Sequence, residues 1–198
     1  MLFTLYSDFM DTHDAIARRT STRAFRPDEV PRYAIERLLA AAVRAPNHKL
    51  TEPWRFAVLS GESRRRYAEI KRAHRAKKFQ DPATPESARA IEKTYREALD
   101  TPAFLVVMCA VSDDQVRREE DYGATMMAIQ NLLVAAAADG IGTFLRTGGI
   151  MEHPDVKALA RVPDGYRIVG IISLGYLAGT PEPTLRRKPL GEIVSWME

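Results

Sequence analysis

The chain has 198 residues, 45% of them hydrophobic, and a formal net charge of +3, which is the size and make-up of one globular domain, residues 1–198. No apolar run reaches the roughly 18 residues of a membrane span. The first ten residues lack the basic start and apolar stretch of a signal peptide, and a single cysteine excludes an intrachain disulfide or a cysteine metal cluster. His13, His48, His74 and His153 stand at no metal-ligand spacing. The expectation is a cytoplasmic protein without a structural metal.

The predicted elements alternate between helix and strand. Val30 to Arg44 carries Ile35, Leu38, Leu39, Ala42 and Val43 at helical spacing, with Pro31 suited to its first turn. Pro46 ends this helix, which puts Arg44 in the last turn and Asn47-His48-Lys49 in a loop. Arg55 to Ser60 reads as a strand, and the basic run that follows reads as helix to about Lys78. Asp81 to Pro85 is a breaker, and Glu86 to Leu99 is a further helix. Phe104 to Val111 is a buried strand holding Cys109 as a packed, inert thiol.

Asp113 to Asp139 predicts the longest helix, with Met126, Met127, Ile129, Gln130, Leu133, Val134 and Ala137 on a broad apolar face. Its last turns are rich in small residues that permit close helix packing, and Gly140 is the expected cap. Ile141 to Leu145 is the next strand, Pro154 to Arg161 a short helix, and Tyr166 to Tyr176 a closing strand rich in Ile and Val. The tail from Thr180 carries Pro181, Pro183 and Pro189 and cannot form a core of its own. Strands separated by helices favour a layered α+β or α/β domain, without fixing the strand order.

Three stretches carry chemistry suited to an anionic, flat ligand. The first is Arg18-Arg19-Thr20-Ser21-Thr22-Arg23, in which guanidinium groups offer paired donors to a phosphate and hydroxyls suit a polyol. The second is Arg44 to Lys49, followed by Pro53-Trp54-Arg55-Phe56. The third is Gly140-Ile141-Gly142-Thr143, followed by Leu145-Arg146-Thr147-Gly148-Gly149, where the glycines let backbone approach a ligand. Each has a simpler reading when taken alone. Arginines favour helix C-termini, Thr-Ser runs make turns, a loop histidine is usually solvated, and Trp54 is most simply a core anchor.

Other motifs are missing. There is no Gly-x-Gly-x-x-Gly after a strand, no Walker lysine loop and no Gly-x-Ser-x-Gly elbow. No carboxylate pair stands out as an acid/base couple. The run Arg64-Arg65-Arg66, Lys71-Arg72 and Arg75 to Lys78 reads first as a solvated helix face, and only second as an attractor of anions.

In order and spacing the three stretches resemble the FMN-dependent nitroreductase family, in particular its short, minimal NAD(P)H nitroreductase branch. The likeness begins at Ile16-Ala17-Arg18-Arg19-Thr20-Ser21-Thr22-Arg23-Ala24-Phe25, passes through Ala45-Pro46 and Glu52 to Phe56, and closes at Val169 to Tyr176. It implies an α+β, three-layer fold with a central mixed, mainly antiparallel sheet flanked by helices. It implies a homodimer with FMN at the interface and the tail, residues 180–198, swapped onto the partner.

By position, the resemblance assigns Arg18, Arg19 and Thr20 to the FMN-contacting N-terminal motif and Arg23 to the pyrimidine edge of the ring. Arg44 and His48 fall in a second group. Leu145, Arg146 and Thr147 form a third, with Arg146 facing the phosphate. Two positions depart from the family pattern: Leu145 stands where minimal relatives carry Trp, and Thr51-Glu52 where Gln commonly precedes Pro-Trp.

The activity so implied is transfer of hydride from NAD(P)H through flavin N5 to a nitroaromatic, quinone or similar small-molecule acceptor, in a ping-pong cycle without a side-chain nucleophile. Neither nucleic acid nor a membrane is an expected partner. The alternatives are a dehydrogenase-type flavin enzyme of the same fold, and a non-enzymatic binding module using the basic run.

Overall fold

The computed structural model describes residues 10–179 and 187–197. Four strands form one sheet: β1 (Trp54–Leu59), β2 (Ala103–Ala110), β3 (Ile141–Arg146) and β4 (Tyr166–Tyr176), in the order β1-β2-β4-β3 with every pair antiparallel. The central strand β2 is apolar throughout because both of its faces are covered. Leu105, Val107 and Cys109 pack with Trp54 against α2 (Arg32–Ala42) and α5 (Gln115–Ala138). Phe104, Val106 and Met108 pack against α3 (Gly61–Ala76), α4 (Pro85–Leu99) and α6 (Pro154–Leu159). The result is the expected three layers, with helices on both faces of a sheet.

A short first helix, α1 (Thr12–Arg18), is capped by Asp11, whose side chain accepts from the His13 N–H at 3.0 Å. The residues after it run beside β3. Ser21 bridges Thr143 in parallel, and the Thr22 N–H donates to the Thr143 carbonyl at 2.8 Å. Gly142 makes this approach possible, since a Cβ there would lie 2.7 Å from Leu177 Cδ2 and 3.0 Å from Thr22 Cγ2. The parallel bridge lies outside the four strands, whose pairs are all antiparallel.

Trp54 is a core anchor, 5% exposed, and Cys109 is buried, as expected. Gly140 caps α5 with a φ of +69°, a conformation that disfavours other residues. Three expectations need correction. Helix α2 ends at Ala42, so Arg44 lies in the turn after it, not in its last turn. Met127 and Gln130 on α5 are exposed, and the buried residues of the helix are Asp121, Ala124, Thr125, Ala128, Ile129, Leu132, Leu133 and Ala136. The basic segment is not a uniformly solvated face, because Lys71 turns inward. Pro181 and Pro183 of the tail lie outside the described residues. No described helix is long and apolar enough to cross a membrane.

Candidate functional site

The N-terminal motif and the β3 motif, more than a hundred residues apart in sequence, meet in space. The Thr22–Thr143 hydrogen bond fixes their register. On one side of the contact, Arg18, Arg19, Thr20, Thr22, Gly140 and Gly142 are among the residues lining a cavity of about 620 Å³, which falls within the range of small-molecule sites. Its lining joins guanidinium donors and a hydroxyl to glycine backbone, a set suited to a phosphate and a polyol chain.

On the other side, Arg23 and Arg146 share one aromatic ring. Their guanidinium carbons lie 4.9 and 4.4 Å from the centroid of Phe144, within cation–π range. Strand alternation explains the geometry. Phe144 and Arg146 point to the α3 side of the sheet, while Leu145 points to the α2–α5 side and packs against that core. Gly170 leaves room for Leu145, whose Cδ1 would lie 2.6 Å from a Cβ placed there. The Leu145 side chain is therefore committed to packing, and its backbone is what it has left to offer a ligand.

Arg146 is half-buried, and its Nε is buried with no hydrogen-bond partner among the described residues. Burial holds its guanidinium below the ordinary arginine range, while Glu97 and Tyr67 act in the opposite direction. The chain then leaves β3 through exposed Thr147 and through Gly148, whose φ of +134° and ψ of −177° are open essentially to glycine alone.

The second motif is elsewhere. The loop after α2 is tied to the start of α5: His48 Nδ1 lies 3.2 Å from Glu120 Oε1, and Thr51 Oγ1 donates to Asp121 Oδ1 at 2.7 Å. The Glu52 N–H donates to Asn47 Oδ1 at 2.9 Å. Lys49, Leu50 and Glu52 all have positive φ, of 52°, 53° and 43°, a costly backbone for residues with side chains. Arg44 is exposed. The loop anchors at Glu120, whereas the cavity touches α5 at Ala137. Those residues are 17 apart, or about 25 Å at 1.5 Å per helical residue. One chain thus brings the first and third motifs together and keeps His48 away from them.

Two residues that the sequence reading overlooked matter here. Asp121, 3% exposed, is the buried acceptor that fixes the second loop, and it lies 3.6 Å from Arg117. Lys71 sits on the inner face of α3, with its Nζ 6.0 Å from the ring centroids of both Tyr67 and Phe104. Its signal was present in the sequence, because Arg64, Tyr67 and Lys71 follow the i, i+3, i+7 spacing of a buried helix face. The density of charge around Lys71 hid it.

The nitroreductase family model matches residues 16–176. The Bacillus subtilis (strain 168) protein YfhC, which carries the name of an NAD(P)H nitroreductase, is 33% identical over 177 residues, covering 89% of each chain. A crystal structure of a nitroreductase-like family protein from Bacillus cereus superposes with a TM-score of 0.81 at 30% identity, covering 96% of this chain and 97% of that one. The FMN-dependent nitroreductase NfnB of Mycobacterium smegmatis, solved with NADPH, shares the fold at a TM-score of 0.74 and 21% identity, over 94% of this chain and 97% of its own. With its motifs in the family's order and its fold in the family's layers, this chain belongs to the nitroreductase family.

Proposed function

We propose that the protein is an FMN-dependent NAD(P)H oxidoreductase acting as a single domain. The observation that carries this reading is the convergence of the N-terminal and β3 motifs on one cavity and one aromatic ring. Bound FMN would supply the redox chemistry, accepting hydride from NAD(P)H at N5 and passing the electrons to an acceptor. The balance is simple. NAD(P)H gives up two electrons and one hydrogen, a second proton comes from water, and the acceptor takes up two of each.

The residues present fit such a cofactor. Arg18, Arg19 and Thr20 supply donors at the cavity, where a phosphate would be held by charge-assisted hydrogen bonds. Arg23 and Arg146 concentrate positive charge at the Phe144 ring. Aimed at the pyrimidine edge of the flavin, Arg23 would favour the negative charge that builds there, as fixed dipoles and charges do in a preorganised site, and Arg146 would face the phosphate. The orphaned Nε of Arg146 is a donor in want of an acceptor.

His48 joins the site only if a second chain supplies it, given that its anchor at Glu120 lies about 25 Å along α5 from the cavity residue Ala137. That separation supports a homodimer in which each site draws on both chains. The described end of the tail exposes Leu190, Ile193, Trp196 and Met197, apolar surface that a partner would cover. Among curated relatives, a 4-nitrobenzoate reductase from Nocardioides is 26% identical, which makes nitroaromatic acids natural first acceptors to try.

The test is a visible spectrum of the purified protein after incubation with FMN and removal of the excess, followed by NAD(P)H oxidation with 4-nitrobenzoate or a quinone. Retained flavin near one per chain, with parallel-line kinetics, supports the reading and its ping-pong form. A colourless protein sinks it.

A further inference from the structure

The chain that leaves β3 after Arg146 and Thr147 is tied down a few residues later. Gly149, the last residue of the third stretch, lies against the His74 ring of α3, whose Cε1 would be 4.0 Å from a Cβ built there. The turn Gly149–Glu152 follows, and its Ile150 and Met151 pack on the core between α3 and α6. His153 then closes it. Its ring meets the His74 ring edge to face, with centroids 5.7 Å apart and planes at 78°. One pair of imidazoles thereby joins the end of α3, the start of α6 and the exit of β3.

This joint is built for neutral rings. His153 Nδ1 accepts the Asp155 N–H at 3.3 Å and so caps α6, which a protonated nitrogen cannot do. His74 Nε2 is buried with no hydrogen-bond partner among the described residues. The charged groups around the pair are Lys77 and Lys78 just beyond α3 and Asp155 on α6, whose carboxylate lies 3.8 Å from His153 Nδ1. Glu152 is engaged by Lys157 at 2.6 Å.

Acid disturbs the joint at either ring. A proton on His153 Nδ1 turns the acceptor that caps α6 into a donor facing another donor. A charge on His74 is buried beside a second imidazole and two ammonium groups, without a partner for its Nε2. Burial, then Lys78, His153 and Lys77, hold His74 below the ordinary histidine range. An opened His74 regains its ordinary proton affinity, so the joint has full strength above about pH 6.5 and weakens as the pH falls below it.

We propose that His74 and His153 form an acid-released brace. At neutral pH it holds the exit of β3, and with it Arg146 and Thr147, where the anionic end of the cofactor is received; on acidification it lets that segment go. Its effect on the cofactor rests on the proposed FMN function, and its effect on the loop stands without it. Both histidines act as positioning residues, through the loop and not on the flavin.

The experiment compares wild type with a His74→Phe/His153→Asn double variant at about pH 7.5 and about pH 5.5, either side of the range where an ordinary imidazole changes charge. Phenylalanine keeps a ring against Gly149 and asparagine keeps a capping acceptor, but neither titrates. Hydrogen exchange from Thr147 to His153 reads the loop without FMN, and fluorescence quenching gives the Kd of FMN. On acidification the wild-type loop should gain exchange over the variant, and its FMN Kd should rise roughly tenfold more than the variant's, the linkage of one proton over one pH unit. The variant's own rise measures protonation of the FMN phosphate, which titrates near pH ~6. If the double variant fails to fold, His74→Gln/His153→Asn replaces it under the same criteria.

Equal acid responses of the two proteins, in exchange or in Kd, overturn the inference and leave the FMN function intact. Wild type that binds no FMN at either pH overturns the FMN function and the effect on the cofactor. The exchange comparison then decides the brace by itself: faster wild-type exchange upholds it and equal exchange overturns it.

Discussion

Arg23 and Arg146, which come from opposite ends of the sequence, hold their guanidinium groups 4.9 and 4.4 Å from the centroid of the single ring of Phe144. Like charges this close repel one another, and, after burial, the charge of Arg23 helps hold the Arg146 guanidinium below its ordinary range. Binding of a negative group between or beside them relieves that repulsion. Arg23→Ala and Arg146→Ala should therefore each weaken FMN binding about 10–100-fold, the worth of one hydrogen bond to a charged group. The double variant should lose less than the sum, because removing one arginine also removes the strain on the other. Fluorescence titration with FMN checks both statements. Unchanged affinity in Arg146→Ala would show that this arginine serves the fold alone.

Lys71 gives a stability prediction whose sign follows from proton counting. The unfolded chain keeps the Lys71 proton up to its ordinary pKa of 10.5, whereas the folded chain releases it at about 8. Between these values the unfolded state binds more protons, so the stability contributed at this position rises with pH. Lys71→Met should accordingly melt higher than wild type at pH 7, and its advantage should shrink as the pH climbs from about 8 to 10.5. Each 1 kcal/mol corresponds to about 2–4 °C at this chain length. A melting series in the absence of FMN tests it, and an advantage that grows with pH would contradict the burial of the charged amine.

Gly142→Ala should loosen the joint between the two motifs. The new methyl would meet Leu177 Cδ2 at 2.7 Å and the β-branched Thr22 at 3.0 and 3.1 Å. Leu177 can rotate, but Thr22 is held by its hydrogen bond to Thr143. Overpacking of this kind costs about 1–3 kcal/mol. FMN affinity should fall along with the melting temperature, because the displaced segment carries Arg18 to Arg23. A destabilised variant with intact FMN affinity would separate the cofactor site from this strand contact.

Thr51→Val removes the donor that satisfies buried Asp121 at 2.7 Å. Leaving a buried acceptor short costs about 1–3 kcal/mol. The loop that loses its anchor already carries three side-chain residues at positive φ, so hydrogen exchange at 48–52 should accelerate beyond the global change. Equal exchange in both proteins would mean that Asn47 and His48 hold the loop without Thr51.

Much of this architecture was legible in the sequence, for reasons that differ by element. The boundaries of β1 and β2 and the cap at Gly140 follow from local chemistry: an apolar run, a breaker, or a conformation only glycine adopts easily. The candidate site residues stood out as motifs because Arg18 to Arg23 and Leu145 to Gly149 are dense in donors and turn formers. What stayed hidden depends on packing across elements. Nothing local says that Leu145 turns into the core while Arg146 turns toward α3, because a strand's two faces are assigned only by its neighbours. Lys71 was obscured for a related reason: in a run of arginines and lysines, one inward-facing cation looks like all the others. The distance between the second motif and the other two depends on the full length of α5, which joins them.

That helix also acts as a spacer with a genetic consequence. If each site takes Arg19 from one chain and His48 from the other, two differently damaged chains can repair each other. A chain with Arg19→Ala and a chain with His48→Ala would each form dimers with two defective sites. Mixed dimers would gather both defects into one site and leave the other whole, so activity would return on co-expression of two parents that are each impaired alone.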